Sequence, residues 1–157
     1  MKLKNILNIV MSALLMLTLV ACSTADNGYF EGLEWGMSLN AVNNSTKRLL
    51  VATADGNATS EDTTSIKDVE CQSLAITKVN YIFSGDKLCE VVVNGEPAPS
   101  YKSLDVLEEL KKIFSSKYTF KDEEANSYRW ETPTSIISAT VFDSRIIITY
   151  SQDTKKP

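Results

Sequence analysis

The strongest constraint on the fold is a pair of β-type segments near the C-terminus that only two residues separate. Residues 136–142 and 145–150 are rich in β-branched and aromatic side chains, and Asp143 and Ser144 lie between them. This spacing predicts an antiparallel hairpin in which three cross-strand pairs share one face and belong to the core. The pairs are Val141–Ile146, Ala139–Ile148 and Ile137–Tyr150.

Other β-type segments predict further hairpins. Residues 79–83 and 88–93 flank a short turn, and aromatic residues recur at every second position in residues 118–120 and 128–130. Residues 66–74 form a weaker β-type segment. Since strands joined by short turns pair antiparallel, these segments predict an antiparallel sheet built from consecutive hairpins.

Two segments have the periodicity of helices. Apolar residues recur at near-helical spacing in residues 39–50, after Ser38 as a suitable N-cap. Residues 101–116 carry one apolar stripe, with Ser100 as the cap. Residues 52–65 are polar and predict a long exposed loop.

The order is therefore helix, three strands, helix, four strands. It predicts an α+β domain in which both helices pack on one face of the antiparallel sheet. Both halves run from a helix into strands, which gives the chain a faint internal repeat.

The N-terminus has the pattern of a secretory signal peptide. Two lysines precede an apolar segment of 16 residues, 6–21, which is shorter than the roughly 20 residues that span a bilayer. Cys22 follows directly, and residues 19–22 resemble the bacterial lipobox, in which the cysteine is lipidated after cleavage. The resemblance implies acyl chains on Cys22, and an uncleaved membrane anchor is the alternative.

The predicted organisation is a signal peptide at residues 1–21, a lipidated tether at 22–28, one α+β domain at 29–151 and a polar tail at 152–157. The lipid would hold the protein on a membrane of the cell envelope. In a Gram-negative cell this would be the outer membrane, facing the periplasm. In a Gram-positive cell it would be the outer face of the plasma membrane.

Composition restricts the chemistry that we expect. Cleavage before Cys22 would leave 14 basic and 20 acidic residues, a net charge of −6, which argues against nucleic acid as a partner. The sequence has no histidine, the commonest general base and metal ligand. The acidic residues 61–62 and 122–124 lack the spacing of a Ca²⁺-binding loop and are expected to be solvated. We therefore expect no enzyme, metal or cofactor, with a carboxylate hydrolase as the catalytic alternative.

Five further side chains are candidates for a covalent bond or a binding surface. Cys71 and Cys89 could form a disulfide that closes a loop of about 19 residues, or could remain buried thiols. Trp35, Tyr128 and Trp130 could form an exposed recognition surface, or could pack helix against sheet. The sequence leaves both pairs of alternatives open.

A short motif near the start of the domain gives a resemblance. Residues 32–38, Gly-Leu-Glu-Trp-Gly-Met-Ser, followed by Ala41 and Val42, resemble a turn that opens a helix in small secreted bacterial domains. The outline is similar to the β-lactamase inhibitor protein-like group and to the small lipoprotein of the outer-membrane β-barrel assembly machinery. The resemblance implies a non-catalytic scaffold that binds a protein partner, as an accessory subunit or an inhibitor. The alternative is a module that binds a small molecule or an envelope polymer through sheet aromatics.

Overall fold

The structure of the chain is a computed structural model that describes residues 27–46, 48–63 and 66–155. The predicted lipidation site, Cys22, and the predicted signal peptide lie outside the described residues. Within the described ranges, no helix has both the length and the hydropathy needed to cross a bilayer.

The described chain contains a 3₁₀ turn, two α-helices and one antiparallel sheet. The 3₁₀ turn is Phe30–Gly32, and the helices are α1, Leu39–Ser45, and α2, Ser103–Ser115. The strands are β1 Val51–Ala52, β2 Ala58–Ser60, β3 Leu74–Ser84, β4 Lys87–Pro97, β5 Thr119–Glu124, β6 Ser127–Glu131, β7 Ser135–Phe142 and β8 Arg145–Gln152. Their order in the sheet is β1-β2-β3-β4-β8-β7-β6-β5, which confirms the predicted α+β class.

The sheet consists of two halves that meet at its centre. Each half contains a helix followed by four strands, and the last strands of the two halves, β4 and β8, pair with each other. Val91 and Val92, the fifth and sixth residues of β4, lie opposite Tyr150 and Thr149, the sixth and fifth residues of β8. The pairing is therefore symmetric about the centre of the sheet.

Two predicted hairpins have turns of the expected kind. Asp143 and Ser144 have φ angles of 47° and 65°, and the three predicted cross-strand pairs are those observed between β7 and β8. Gly85 and Asp86 connect β3 to β4 with φ angles of 57° and 59°. Positive φ at both central residues gives a two-residue turn the twist that its flanking strands require.

The prediction of a loop at residues 52–65 is wrong in part, because this segment contains the end of β1 and all of β2. The Asp55 carboxylate organises the turn between them by accepting hydrogen bonds from Thr53 Oγ1 and, at 2.8 Å, from Asn57 Nδ2. Asn57 Oδ1 accepts a hydrogen bond from the Phe83 N–H at 2.9 Å. This tertiary bond links the short hairpin to β3. The hairpin covers the edge of β3, because β2 pairs with that strand.

Some predicted boundaries differ from the structure. Residues 66–74 are not a strand up to Leu74, although Ile66 and Val69 are buried. The N-cap of α1 is confirmed, since Ser38 Oγ accepts a hydrogen bond from the Ala41 N–H at 3.3 Å. Ser100 does not cap α2, because its φ of 80° turns the chain before the helix begins at Ser103.

The core lies against one side of the sheet, which we name the core face. Phe30 contacts the ring of Tyr150 with a centroid distance of 5.2 Å. Phe114 of α2 contacts Tyr150 at 6.4 Å and Trp130 at 5.1 Å. One row of residues crosses seven strands on this face: Ala58, Tyr81, Val91, Tyr150, Ile137, Trp130 and Phe120. Both halves of the chain therefore contribute to one core.

Candidate binding face of the sheet

Two of the three aromatic residues considered as a recognition surface are buried. Trp130 is 0 % exposed, and its indole N–H donates a hydrogen bond to Ser115 Oγ at 3.0 Å. Tyr128 is 6 % exposed. The pairing of Trp130 with Ile137 places both aromatic residues on the core face. Of the two alternatives for Tyr128 and Trp130, the structure shows packing in the core and not an exposed surface.

Trp35 is the member of this group that stays partly exposed. It lies beside the β6–β7 turn, where its indole N–H donates to Ser135 Oγ at 3.0 Å and to the Thr134 carbonyl at 3.2 Å. Tyr29 contacts its ring edge-on, with a centroid distance of 6.1 Å. The structure therefore does not unite Trp35, Tyr128 and Trp130 in one exposed surface.

Cys71 and Cys89 are free thiols, so the candidate disulfide is not formed. Ser73, two residues after Cys71, bonds to Ala98 beyond the end of β4, whereas Cys89 lies beside the β3–β4 turn. The length of β4 separates these positions by roughly 30 Å, while a disulfide requires Cα atoms within about 7 Å. Cys71 Sγ instead contacts Ser73 Oγ at 3.2 Å, and Cys89 Sγ donates to the Ile82 carbonyl at 3.4 Å.

Two of the acidic residues considered for cation binding, Asp122 and Glu123, have basic neighbours. Residues 122–124 lie in β5, where Lys111 Nζ binds Glu123 Oε2 at 2.7 Å and Arg129 of β6 lies opposite Asp122. In the described ranges, no group of three Cys, Asp or Glu side chains is placed to hold a metal ion. The contacts observed at residues 122–123 are thus those of a charged sheet edge.

A small polar cluster covers the core beside α2. The Tyr128 hydroxyl donates a hydrogen bond to Glu108, and Lys111 Nζ lies 4.3 Å from the centroid of the Tyr128 ring. The hydrogen bond to Glu108 raises the pKa of Tyr128 above its ordinary value of 10.0. Ionisation of the phenol would break this bond and place two negative charges together.

We expect Glu108→Ala to lower the pH at which Tyr128 ionises. Because the pKa is raised in the folded state, the contribution of this bond to stability is present below pH 10.0 and is lost as the pH rises through the higher pKa. Ultraviolet difference titration measures the ionisation, and subtraction of a Tyr128→Phe curve isolates Tyr128. Asp105→Ala on the same helix is the control. Identical curves for wild type and Glu108→Ala would contradict the prediction.

A buried ion pair links the 3₁₀ turn to the residues that precede β1. Arg48 is 8 % exposed, and its guanidinium binds both carboxylate oxygens of Glu31, with Nη2 2.7 Å from Oε1. Glu31 has a φ of 50°, and its N–H donates to Asp68. The hydrogen bond to Glu31 raises the pKa of Arg48. Nothing in the local sequence marks this pair, because 17 residues separate its members.

The second side of the sheet, which we name the polar face, consists of the residues that alternate with the core residues along the strands. Its centre, on β4, β8 and β7, is uncharged and half-buried. The central residues are Val92, Asn94, Ile147, Thr149, Ile136, Ser138 and Thr140. They form continuous rows, in which Val92 lies opposite Thr149 and Thr149 lies opposite Ser138. This centre is therefore a continuous patch of uncharged side chains in register.

Charged side chains lie on both sides of this uncharged centre. They are Lys78 and Glu90 on β3 and β4, and Lys121, Asp122, Arg129 and Glu131 on β5 and β6. Lys121 forms an ion pair with Glu131. An uncharged centre inside a polar rim is the arrangement found in protein–protein interfaces, whose cores are depleted of charge.

Comparison with known proteins gives no relative of this chain. No protein-family model matches it, and neither a curated protein nor a solved structure matches it. The contacts of the described residues are therefore the basis on which a function can be proposed.

Proposed function

We propose that the protein is a lipid-anchored protein of the cell envelope that holds a protein partner on the polar face of its sheet, as an accessory subunit or an inhibitor. The observation that carries the proposal is the polar face itself. It offers an eight-stranded surface with a neutral centre and a charged rim. A face of this composition can exclude water from its centre and use its rim for specificity.

The placement of the helices supports this proposal. Phe30 of the 3₁₀ turn and Phe114 of α2 both contact Tyr150, which lies on the core face. Val42 of α1 is buried in the same cluster. We infer that both helices lie on the core face, so that the polar face stays uncovered and accessible to a partner.

The lipid anchor and the lack of catalysis are parts of the same proposal. The lipobox-like residues before Cys22 motivate the anchor, and the absence of histidine from the sequence motivates a non-catalytic role. A scaffold requires only a rigid surface, and the polar face is built on strands in register. The alternative of a ligand module that uses sheet aromatics loses Tyr128 and Trp130, because both are buried.

Site-specific photo-crosslinking in intact cells tests the proposed binding face. A photoreactive residue in place of Thr149, at the centre of the polar face, should give one discrete crosslinked partner. The same residue in place of Lys112, which is exposed on α2, should not. Ser138→Arg should abolish the product at position 149, because a buried unpaired charge disfavours an interface. Ser116→Arg, at an exposed site after α2, is the matched control.

Two results would contradict the proposed binding face. One is a product of equal yield from positions 149 and 112. The other is a product at position 149 that persists in a folded Ser138→Arg variant. Mass spectrometry of the N-terminal peptide tests the anchor separately, since it reports whether Cys22 carries acyl chains.

A further inference from the structure

Asn27 and Gly28, the first described residues, show where the predicted tether meets the domain. The Asn27 carbonyl accepts hydrogen bonds from Thr134 Oγ1 and, at 3.2 Å, from Thr132 Oγ1. Gly28 has a φ of 79°, and a Cβ there would overlap the side chain of Thr132. Only glycine combines this conformation with such a close approach. The tether therefore joins the domain at the β6–β7 turn, in a defined position.

The tether is too short to let this turn move far from its anchor. Cys22 and Asn27 are five positions apart, and a fully extended chain of that length spans about 18 Å. The strands that run away from this end are longer, since the eight residues of β7 extend about 27 Å. A lipid on Cys22 would therefore hold the β6–β7 end of the sheet nearest to the membrane.

The pairing of the strands defines the two ends of the sheet. Ser135 at the start of β7 pairs with Gln152 at the end of β8, and Glu90 near the β3–β4 turn pairs with Ser151. The β6–β7 and β3–β4 turns thus share one end, which we name the tether end. The β7–β8 turn lies at the other end, where Ser103 Oγ of α2 donates to the Ser144 carbonyl at 2.8 Å.

The tether end carries partly exposed aromatic side chains. Trp35 and Tyr29 lie there in edge-on contact, next to the exposed Pro133 of the β6–β7 turn. The Trp35 N–H already has two protein acceptors, so the exposed part of its ring can enter a less polar medium without leaving that donor unsatisfied. Tryptophan and tyrosine favour the interface of a bilayer, because their rings are apolar with a polar edge.

We propose that the tether end rests on the lipid bilayer, with Trp35 and Tyr29 in the headgroup region and the β7–β8 turn pointing away from the membrane. This inference rests on the lipidation of Cys22, which is part of the proposed function. It adds a second contact with the membrane and a fixed orientation of the domain. The strands then run from the bilayer surface into the surrounding medium. The polar face is therefore accessible to a partner that lies beside the domain, next to the membrane.

Fluorescence quenching by lipids tests this orientation. The full-length lipidated protein is reconstituted into vesicles of phosphatidylcholine and phosphatidylglycerol, with or without bromine on the acyl chains. Trp130 is 0 % exposed and gives a constant background, and a Trp35→Phe variant identifies the emission of Trp35. Tyr101→Trp, made together with Trp35→Phe, places the reporter before α2 at the other end, where Tyr101 is 52 % exposed.

The expected result is a loss of Trp35 emission in brominated vesicles and no loss from the tryptophan of Tyr101→Trp. Equal quenching at both positions overturns the orientation, as does unquenched Trp35 in protein that mass spectrometry shows to be lipidated. Either result leaves the anchor intact. A Cys22 without lipid in the mature protein overturns both the anchor and the orientation. Wild-type protein gives the reading for Trp35 directly if the Trp35→Phe variant does not fold.

Discussion

Phe114→Ala is expected to destabilise the domain by about 3–5 kcal/mol, which is a large part of the stability of an ordinary domain. Phe114 is 0 % exposed and joins α2 to the sheet through edge-on contacts with Trp130 at 5.1 Å and Tyr150 at 6.4 Å. Truncation removes these contacts and leaves a cavity between helix and sheet. The cost has two parts, the lost transfer of the ring out of water and the unfilled volume.

Urea unfolding measures this effect, and the chain offers a matched control. Phe142→Ala makes the same chemical change at a position that is 62 % exposed, where we expect a change of about 0.5 kcal/mol or less. Similar losses of stability in the two variants would show that Phe114 does not hold α2 against the sheet.

Arg48→Met is expected to cost about 3–5 kcal/mol, although it keeps the apolar part of the side chain. The substitution removes both hydrogen bonds to Glu31 and leaves that half-buried carboxylate without its counter-charge. The same bonds raise the pKa of Arg48, so the guanidinium is charged throughout the usable pH range. Loss of the pair also removes a side-chain link between the 3₁₀ turn and the residues before β1.

A double-mutant cycle separates the ion pair from simple loss of packing. Adding Glu31→Gln to Arg48→Met should restore part of the stability, because the isolated negative charge is then removed. Arg129→Met, at an exposed position of β6, is the control and should change stability little. Additive effects of the two substitutions would contradict a coupled pair.

The hairpins of the second half could be predicted from the sequence because their signals are local. Two residues between β7 and β8 fix the turn, and alternation of side chains then fixes the register of Ile137 with Tyr150. The β1–β2 hairpin lacks such a signal, since its strands have two and three residues. Its contacts with β3, which include the bond from Phe83 to Asn57 and the pairing of β2 with β3, are tertiary and leave no local signal in the sequence.

The candidate site shows the same division between local pattern and tertiary placement. Alternation predicts that Tyr128 and Trp130 share a face, but only the packing of Phe114 shows that this face is the core. Cys71 and Cys89 are close in sequence, yet the hairpin between them places them at opposite ends. The polar face could not be predicted as one surface, because its rows combine residues of all eight strands.

The symmetric pairing of β4 with β8 has a consequence for the association of the two halves of the domain. If each half were a separate polypeptide, its last strand would be an open edge, and two copies could close it across a twofold axis. Joining them in a single chain makes that association independent of protein concentration. It also allows the two halves to differ, as their helices of 7 and 13 residues do. The strand order of the protein is therefore that of a twofold dimer, contained in one polypeptide.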